Sequence, residues 1–256
     1  MSRIASSLRS QVLLLAAGIL LLNAVNARAW QQAPSLSDAE IIQRIDAAVH
    51  TRAANVASYT VQELYSIYRN GETTPSAQVT VKTNYTRAVG KEYTPISQTG
   101  SSVMRSVVVD KVLANEKEMA RAANRENVAI TSANYEMHPE PGSVQQNVQL
   151  NGHTCVIVDL KAKRKISYLF NGKGWFDATD FTLVHIEGSP AASPSFFAGQ
   201  TGGVRDYIRI DGFSMAQHAE MRSHSFLFGD TLMKIDYSDY QIQLEPKAIS
   251  AAGQMQ

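Results

Sequence analysis

One cysteine, Cys155, stands in the 256 residues, so no disulfide forms within the chain. Cys155 lies in a run that reads as strand. It is either a small half-buried residue or a reactive thiol, and the second needs a basic or helix-end neighbour. A lone cysteine cannot build a C-x-x-C zinc site, and none of the six histidines falls in H-E-x-x-H. His185-Ile186-Glu187 matches the H-x-E half of a zinc deaminase motif, but the P-C-x-x-C half is missing. No metal and no cofactor is therefore expected. Charge is nearly balanced, with 24 Lys and Arg against 23 Asp and Glu, which excludes the strongly basic face that nucleic acid requires. After residue 25 no apolar run is long enough to span a bilayer.

What is present begins with a targeting pattern. Arg3 and Arg9 precede the apolar run Val12 to Val25, and Ala27-Arg28-Ala29 supplies an A-x-A cleavage site. This predicts a signal peptide over residues 1–29, cut after Ala29. An uncleaved anchor is the alternative, for which the run is short. The removed segment carries Arg3, Arg9 and Arg28, so the exported remainder is slightly acidic. A periplasmic protein is expected, with release from the cell left open.

Ser37 and Glu40 make a capping box, and Ile41, Ile45, Ala48, Val49, Ala53 and Val56 follow at helical spacing. Tyr59 to Tyr68 reads as a strand ending at the hairpin signal Asn70-Gly71, with a return over Ala77 to Ala88. Tyr93 to Ile96 adds a short strand limited by Pro95. Ser101 to Asn124 is alanine-rich and charged, hence helical, although Val107-Val108-Val109 at its start could be strand. This insert, with Val103, Val107, Val108, Val112 and Met119, is the candidate lid; a helix that simply closes the core is the equal alternative. Asn127 to Gly142, with Pro139 and Pro141, reads as a loop.

Alternating strands then run to the end: Val144–Leu150, His153–Lys161, Lys165–Phe170, Gly174–Ala178, Thr182–Glu187, Val204–Ile210, Met215–Ser225 and Leu232–Tyr240. Residues 188–203 form a Gly-, Ser- and Pro-rich loop around Phe196 and Phe197, either tucked into the sheet or gating a cavity. The basic cluster Lys161, Lys163, Arg164 and Lys165 reads as a solvated turn. Asp177 and Asp180 flank a turn, where aspartates satisfy backbone N–H groups; acid–base work is the alternative. Gly212-Phe213-Ser214 imitates a nucleophile elbow but sits between two strands, so a hairpin is expected. A hydrolase would need Ser214 beside His218 or His224.

Several of these segments carry a resemblance. Tyr168-Leu169-Phe170, Gly174-Trp175-Phe176-Asp177, Asp180 to Gly188 with Pro190, Arg205 to Gly212, and Ile235 to Tyr240 resemble the outer-membrane lipoprotein-sorting superfamily of periplasmic carriers and receptors. Its specific part covers Lys165 to Tyr240. The resemblance implies a mainly β (α+β) chain: a strongly curved antiparallel sheet, an incomplete β-barrel, covered by the N-terminal helix and the mid-chain insert. It implies one domain over residues 30–245 with a flexible tail over 246–256, monomeric and non-enzymatic. The implied role is carriage of lipid-modified protein or other acyl-chain cargo, with envelope proteins as further partners. An interaction or sensing module with a filled core is the alternative. Carriers of the family hold the lid with an arginine on an early strand, for which Arg69 and Arg87 are the available counterparts; the receptors' lipobox cysteine is absent. The apolar alternates expected to face the cavity are Val61, Tyr65, Ile67, Val79, Val81, Val156, Val158, Leu160, Val184, Ile186, Ile208 and Ile210.

Overall fold

The computed structural model describes residues 36–142, 148–192, 201–225 and 229–246. The expected signal peptide, Phe196 and Phe197, the Val107 side chain, the start of the Val144–Leu150 strand and the tail from 247 lie outside the described residues.

Helix α1 runs over Asp38–Asn55. Ser37 starts it, with its hydroxyl accepting from the Glu40 N–H while the Ser37 N–H donates to Glu40 Oε2 at 2.9 Å. It stops one residue before Val56, which opens β1 (Val56–Arg69) instead of ending the helix. The Asn70-Gly71 signal forms its turn, with both φ angles positive and the Glu72 N–H bonded to the Arg69 carbonyl. Residues 73–76 intervene before β2 (Ala77–Thr86), so the hairpin loop is longer than the two residues the dipeptide favours. Strand β3 (Gly90–Gly100) runs well past the expected Tyr93–Ile96. Pro95 is accommodated because β3 is an edge strand and bulges there: Thr80 pairs Ser97 and Val81 pairs Pro95, leaving Ile96 unmatched.

The insert is helical on both sides of one break at Arg121, whose backbone is extended. Ser102–Met104, a π-helical turn Arg105–Val109 and Asp110–Ala120 follow without a break and are together called α2; α3 is Ala122–Val128. The three-valine run that could have been strand falls in the π turn, where β-branched side chains meet the wider spacing. The remaining strands are β4 (Tyr135–Pro139), β5 (Val148–Leu150), β6 (His153–Ala162), β7 (Phe170–Asp177), β8 (Leu183–Pro190), β9 (Thr201–Ile210), β10 (Phe213–Ser225) and β11 (Gly229–Leu244).

Two readings are corrected here. Part of the expected 127–142 loop is strand β4, whose Tyr135, Met137 and Pro139 are buried in strict alternation against β6. The expected strand Lys165–Phe170 is a turn: Lys163 and Arg164 donate to the Ser132 and Asn127 carbonyls, and the Leu169 N–H closes on the Ile166 carbonyl. Basic side chains spent on carbonyls of a neighbouring segment take this stretch out of the ladder.

Among the described residues eleven strands join one antiparallel sheet in the order β3-β2-β1-β11-β10-β9-β8-β7-β6-β4, with β5 also on β6. The first strand of the chain thus lies beside the last, over the register Arg69↔Thr231 to Val56↔Leu244. The sheet is open and strongly curved. A flat sheet would hold β3 and β9, five places apart, about 24 Å from each other. Yet one carboxylate, Glu116 of α2, lies 2.6 Å from Lys91 on β3 and 3.4 Å from Arg205 on β9. This incomplete barrel carries its helices against the concave face. Under α2, Met104, Val108, Val109 and Val112 pack on Tyr65, Ile67, Val79 and Val81 from β1 and β2, and on Ala219, Met233 and Ile235 from β10 and β11. Each buried Val, Ile or Met among them contributes about 2 kcal/mol.

Candidate functional site

At the other end of the concave face the packing leaves a cavity of about 900 Å³. Helix α1 supplies Arg44, Ala47, Ala48 and Arg52 to its wall, and α3 with the residues after it supplies Arg125, Val128 and Ile130. Hydrogen bonds tie helix α1 to the segments around it. Asp46 accepts from the Ser132 N–H and hydroxyl at 2.8 and 2.5 Å, and Arg52 Nε donates to the Ser214 carbonyl at 2.9 Å. Strand alternation places Tyr59, Val61 and Glu63 of β1 along the floor. Among the described residues eight aromatic rings line the space: Tyr59, Tyr85, Phe176, Phe181, Tyr207, Phe213, Tyr237 and Tyr240. Tyr59 stacks on Tyr85 with ring centres 4.7 Å apart and meets Tyr240 at 6.1 Å. Burial pushes the Tyr59 and Tyr240 hydroxyls above the usual tyrosine range, so both stay neutral.

The residues singled out from sequence divide among several places. Val61 lines the large cavity. Tyr65, Ile67, Val79 and Val81 are buried beneath α2, in packed core. Val156, Val158 and Leu160 on β6 and Val184 on β8 are buried. Ile186 borders a second cavity of about 250 Å³ with Leu169, Ala219 and Met233. Ile208 is 41% exposed, and Ile210 packs at the margin of the Tyr59–Met215 cluster. On β9 the lining positions belong to Arg205 and Tyr207. The more apolar parity of that strand is thus not the one that faces the space. Of the lid residues, Val108 and Val112 are buried, Met119 is half-buried and Val103 is 58% exposed. Arg87 pairs with Glu245, bonds the Ala54 carbonyl and lends its own carbonyl to Arg125; Arg69, at the end of β1, pairs in register with Thr231.

A polar cluster that the apolar reading missed joins the insert to the sheet. Glu63 is completely buried between Tyr65 and Val61. It accepts from the Tyr65 hydroxyl at 2.5 Å and the Thr83 hydroxyl at 2.8 Å, with Lys91 Nζ 3.8 Å away. Lys91 bonds Glu116 at 2.6 Å, and Tyr93 donates to the same carboxylate at 3.1 Å. Burial alone would raise the Glu116 carboxyl, but the Lys91 ammonium and the Arg205 guanidinium outweigh it and hold it at about 2. Burial works against the Lys91 charge as well, and Glu116 and Glu63 reverse that, lifting it well above the usual lysine range. The signal that could have located Glu63 is its parity, since it alternates in step with Val61, Tyr65 and Ile67.

The groups that invited chemistry are spent on structure. The Ser214 hydroxyl donates to the Leu183 carbonyl. His218 Nδ1 faces Asp236 and His224 Nδ1 faces Asp230, at 2.6 and 2.7 Å. Asp211 and Gly212, both at positive φ, make a two-residue hairpin between Ile210 and Phe213. Asp177 accepts from the Thr179 N–H at 2.7 Å, and Asp180 from the Thr182 N–H at 3.0 Å. His185 binds Asp206 at 2.7 Å, and among the described residues no group of three acidic, histidine or cysteine side chains is placed to hold a metal. Cys155 is buried; burial first, and Asp177 second, push its thiol up to about 11, so it remains protonated.

No protein-family model matches the chain, and no curated protein does. Among solved structures it is similar to a LolA superfamily protein from Nitrosomonas europaea, at 12% identity and a TM-score of 0.41, over 83% of this chain and 96% of that one. It is similar to an outer-membrane lipoprotein-sorting protein domain from Vibrio parahaemolyticus, at 11% identity and a TM-score of 0.46, over 80% and 94%. It is also similar to a DUF1329 family protein from Desulfovibrio piger, at 13% identity and a TM-score of 0.39, over 79% and 93%.

Proposed function

We propose that this chain is an exported carrier that shelters an acyl chain, free or attached to a protein, in the cavity between α1, α3 and the concave sheet. The observation that carries this reading is the cavity itself: about 900 Å³, walled by eight aromatic rings. That size falls within the range of sites that bury most of a small ligand. Moving an acyl chain from water into such a space is worth about 0.8 kcal/mol per methylene, or about 10 kcal/mol for one long chain, without any hydrogen-bond code. In this reading α2 is the closed cover, fixed by its own core and by the Lys91–Glu116 contact. The targeting pattern in residues 1–29 supports work outside the cytoplasm.

The filled core beneath α2 favours a second reading, an envelope module that binds a partner protein and carries no lipid. Nile red, a neutral apolar dye, separates the two. The carrier reading expects saturable fluorescence enhancement with the delipidated chain, abolished by a long-chain acyl competitor. Ala48, half-buried in the cavity wall, supplies the structural control. Ala48→Trp fills the space and is expected to weaken dye binding about tenfold while leaving the thermal midpoint within a few degrees. A delipidated chain that binds neither dye nor acyl chain ends the carrier reading.

A further inference from the structure

We infer that the cavity takes an amphiphile with an anionic headgroup, a carboxylate or a phosphate, seated against Arg52 and Arg125. This rests on the carrier reading and names its cargo class. The argument is one of charge pairing around the wall. Glu63 is engaged by Tyr65 and Thr83, Lys91 and Arg205 share Glu116, Arg87 holds Glu245, and Asp180 lies 2.8 Å from Arg209. Glu126 is exposed at the rim. Two half-buried cations remain with only neutral partners among the described residues. Arg52 donates through Nε to the Ser214 carbonyl and through Nη2 to the Met215 sulfur at 3.5 Å. Arg125 donates to the Tyr85 hydroxyl and, at 2.6 Å, to the Arg87 carbonyl, with its guanidinium 5.8 Å from the Tyr85 ring centre.

Carbonyls, a phenol and a thioether satisfy some of the N–H donors but do not neutralise the charge. Half-burial strips part of the water from each guanidinium, and an anionic ligand group would supply the charge-assisted bonds that the neutral partners do not. Each guanidinium has five donors, of which the neutral partners use two, so three remain on each for a carboxylate or phosphate. The aromatic wall beside them takes the chain.

The test compares probes of one chain length, below their micelle concentrations, by titration calorimetry on the full exported chain: dodecyl phosphate, laurate and dodecyl maltoside. The anionic probes are expected to bind about tenfold more tightly than the maltoside, since a charge-assisted hydrogen bond is worth roughly that much. Arg52→Gln and Arg125→Gln should each weaken the anionic probes more than the maltoside and so remove most of that preference. Far-ultraviolet circular dichroism certifies that each variant is folded. A tighter phosphate than laurate assigns the head as phosphate, and the reverse assigns a carboxylate. Equal affinity for all three probes, insensitive to both substitutions, overturns the headgroup inference and leaves the carrier standing. Failure of every probe to bind overturns the carrier reading, and this inference with it.

Discussion

Lys91 Nζ stands 2.6 Å from the Glu116 carboxylate, joining the edge strand β3 to the insert helix α2 across the mouth of the curved sheet. Both side chains are about four-fifths removed from solvent, so the contact is only weakly screened by salt. It also bears on Glu63, 3.8 Å away, whose charge is otherwise answered by hydroxyls alone.

Removing the ammonium leaves Glu63 with its hydroxyl partners alone and Glu116 with Arg205 at 3.4 Å. Lys91→Met is therefore expected to lower unfolding free energy by about 3 kcal/mol, the cost of stranding a buried charge. The double variant Lys91→Met/Glu116→Leu removes one charge of each sign and should be less damaging than the sum of the single variants, by at least about 1 kcal/mol. Urea melts of the four proteins measure this coupling. Strictly additive single effects would mean that the two residues do not act as a pair.

The same carboxylate gives a signed pH effect. Glu116 sits at about 2 in the folded chain against an ordinary 4.5, because Lys91 and Arg205 outweigh its burial. A depressed carboxylate contributes stability that is complete above its unfolded value and is lost as pH falls from there through the folded value. The contribution is of the order of 3 kcal/mol, gone by about pH 2. Asp177 and Glu220 are depressed too, so the whole chain weakens in acid. The informative quantity is the difference between the wild-type chain and Glu116→Gln. Urea midpoints at about pH 6 and pH 3 should show that gap narrowing; a constant gap would exclude Glu116 as its source.

How much of this could be read in advance follows from what side-chain alternation records. Period-two patterns located β1, β2, β6 and β8 to β11 because each has one face in water. The capping box located α1 because it is a local hydrogen-bond pattern, and Asp211-Gly212 read as a hairpin for the same reason. Alternation does not say which buried face meets a cavity and which meets a helix. Tyr65 and Ile67 share their parity with Val61, but α2 lies over the first two and empty space over the third. On β9 the pattern misleads, since Arg205 and Tyr207 line the cavity while Ile208 is exposed. Long amphipathic side chains bury their stems and rings and satisfy their heads on partners far along the chain, which no local window contains. Lys91, Glu116 and Arg205 are such partners.

Where β7 and β8 meet, Gly172 pairs directly with Gly188, and the approach leaves room for neither to carry a side chain. A Cβ on Gly172 would lie 2.0 Å from the Glu187 carbonyl oxygen, and one on Gly188 would lie 2.3 Å from that of Asn171. The obstacles are backbone atoms of the paired strand, so no rotamer change relieves them; the strands must part. Gly172→Ala is expected to cost about 3 kcal/mol, the upper range for inserting a methyl into a packed site. Gly212→Ala is the control, because its position is open to solvent and only its φ of +84° opposes a side chain, which costs about 1 kcal/mol. Urea melts rank the two. Native-state hydrogen exchange locates the damage, since the amides of β7 and β8 in Gly172→Ala should exchange faster than those of β10 and β11. Equal stability losses in the two variants, or exchange unchanged along β7, would mean that the pair tolerates separation and that its glycines are not required by the close approach of the strands.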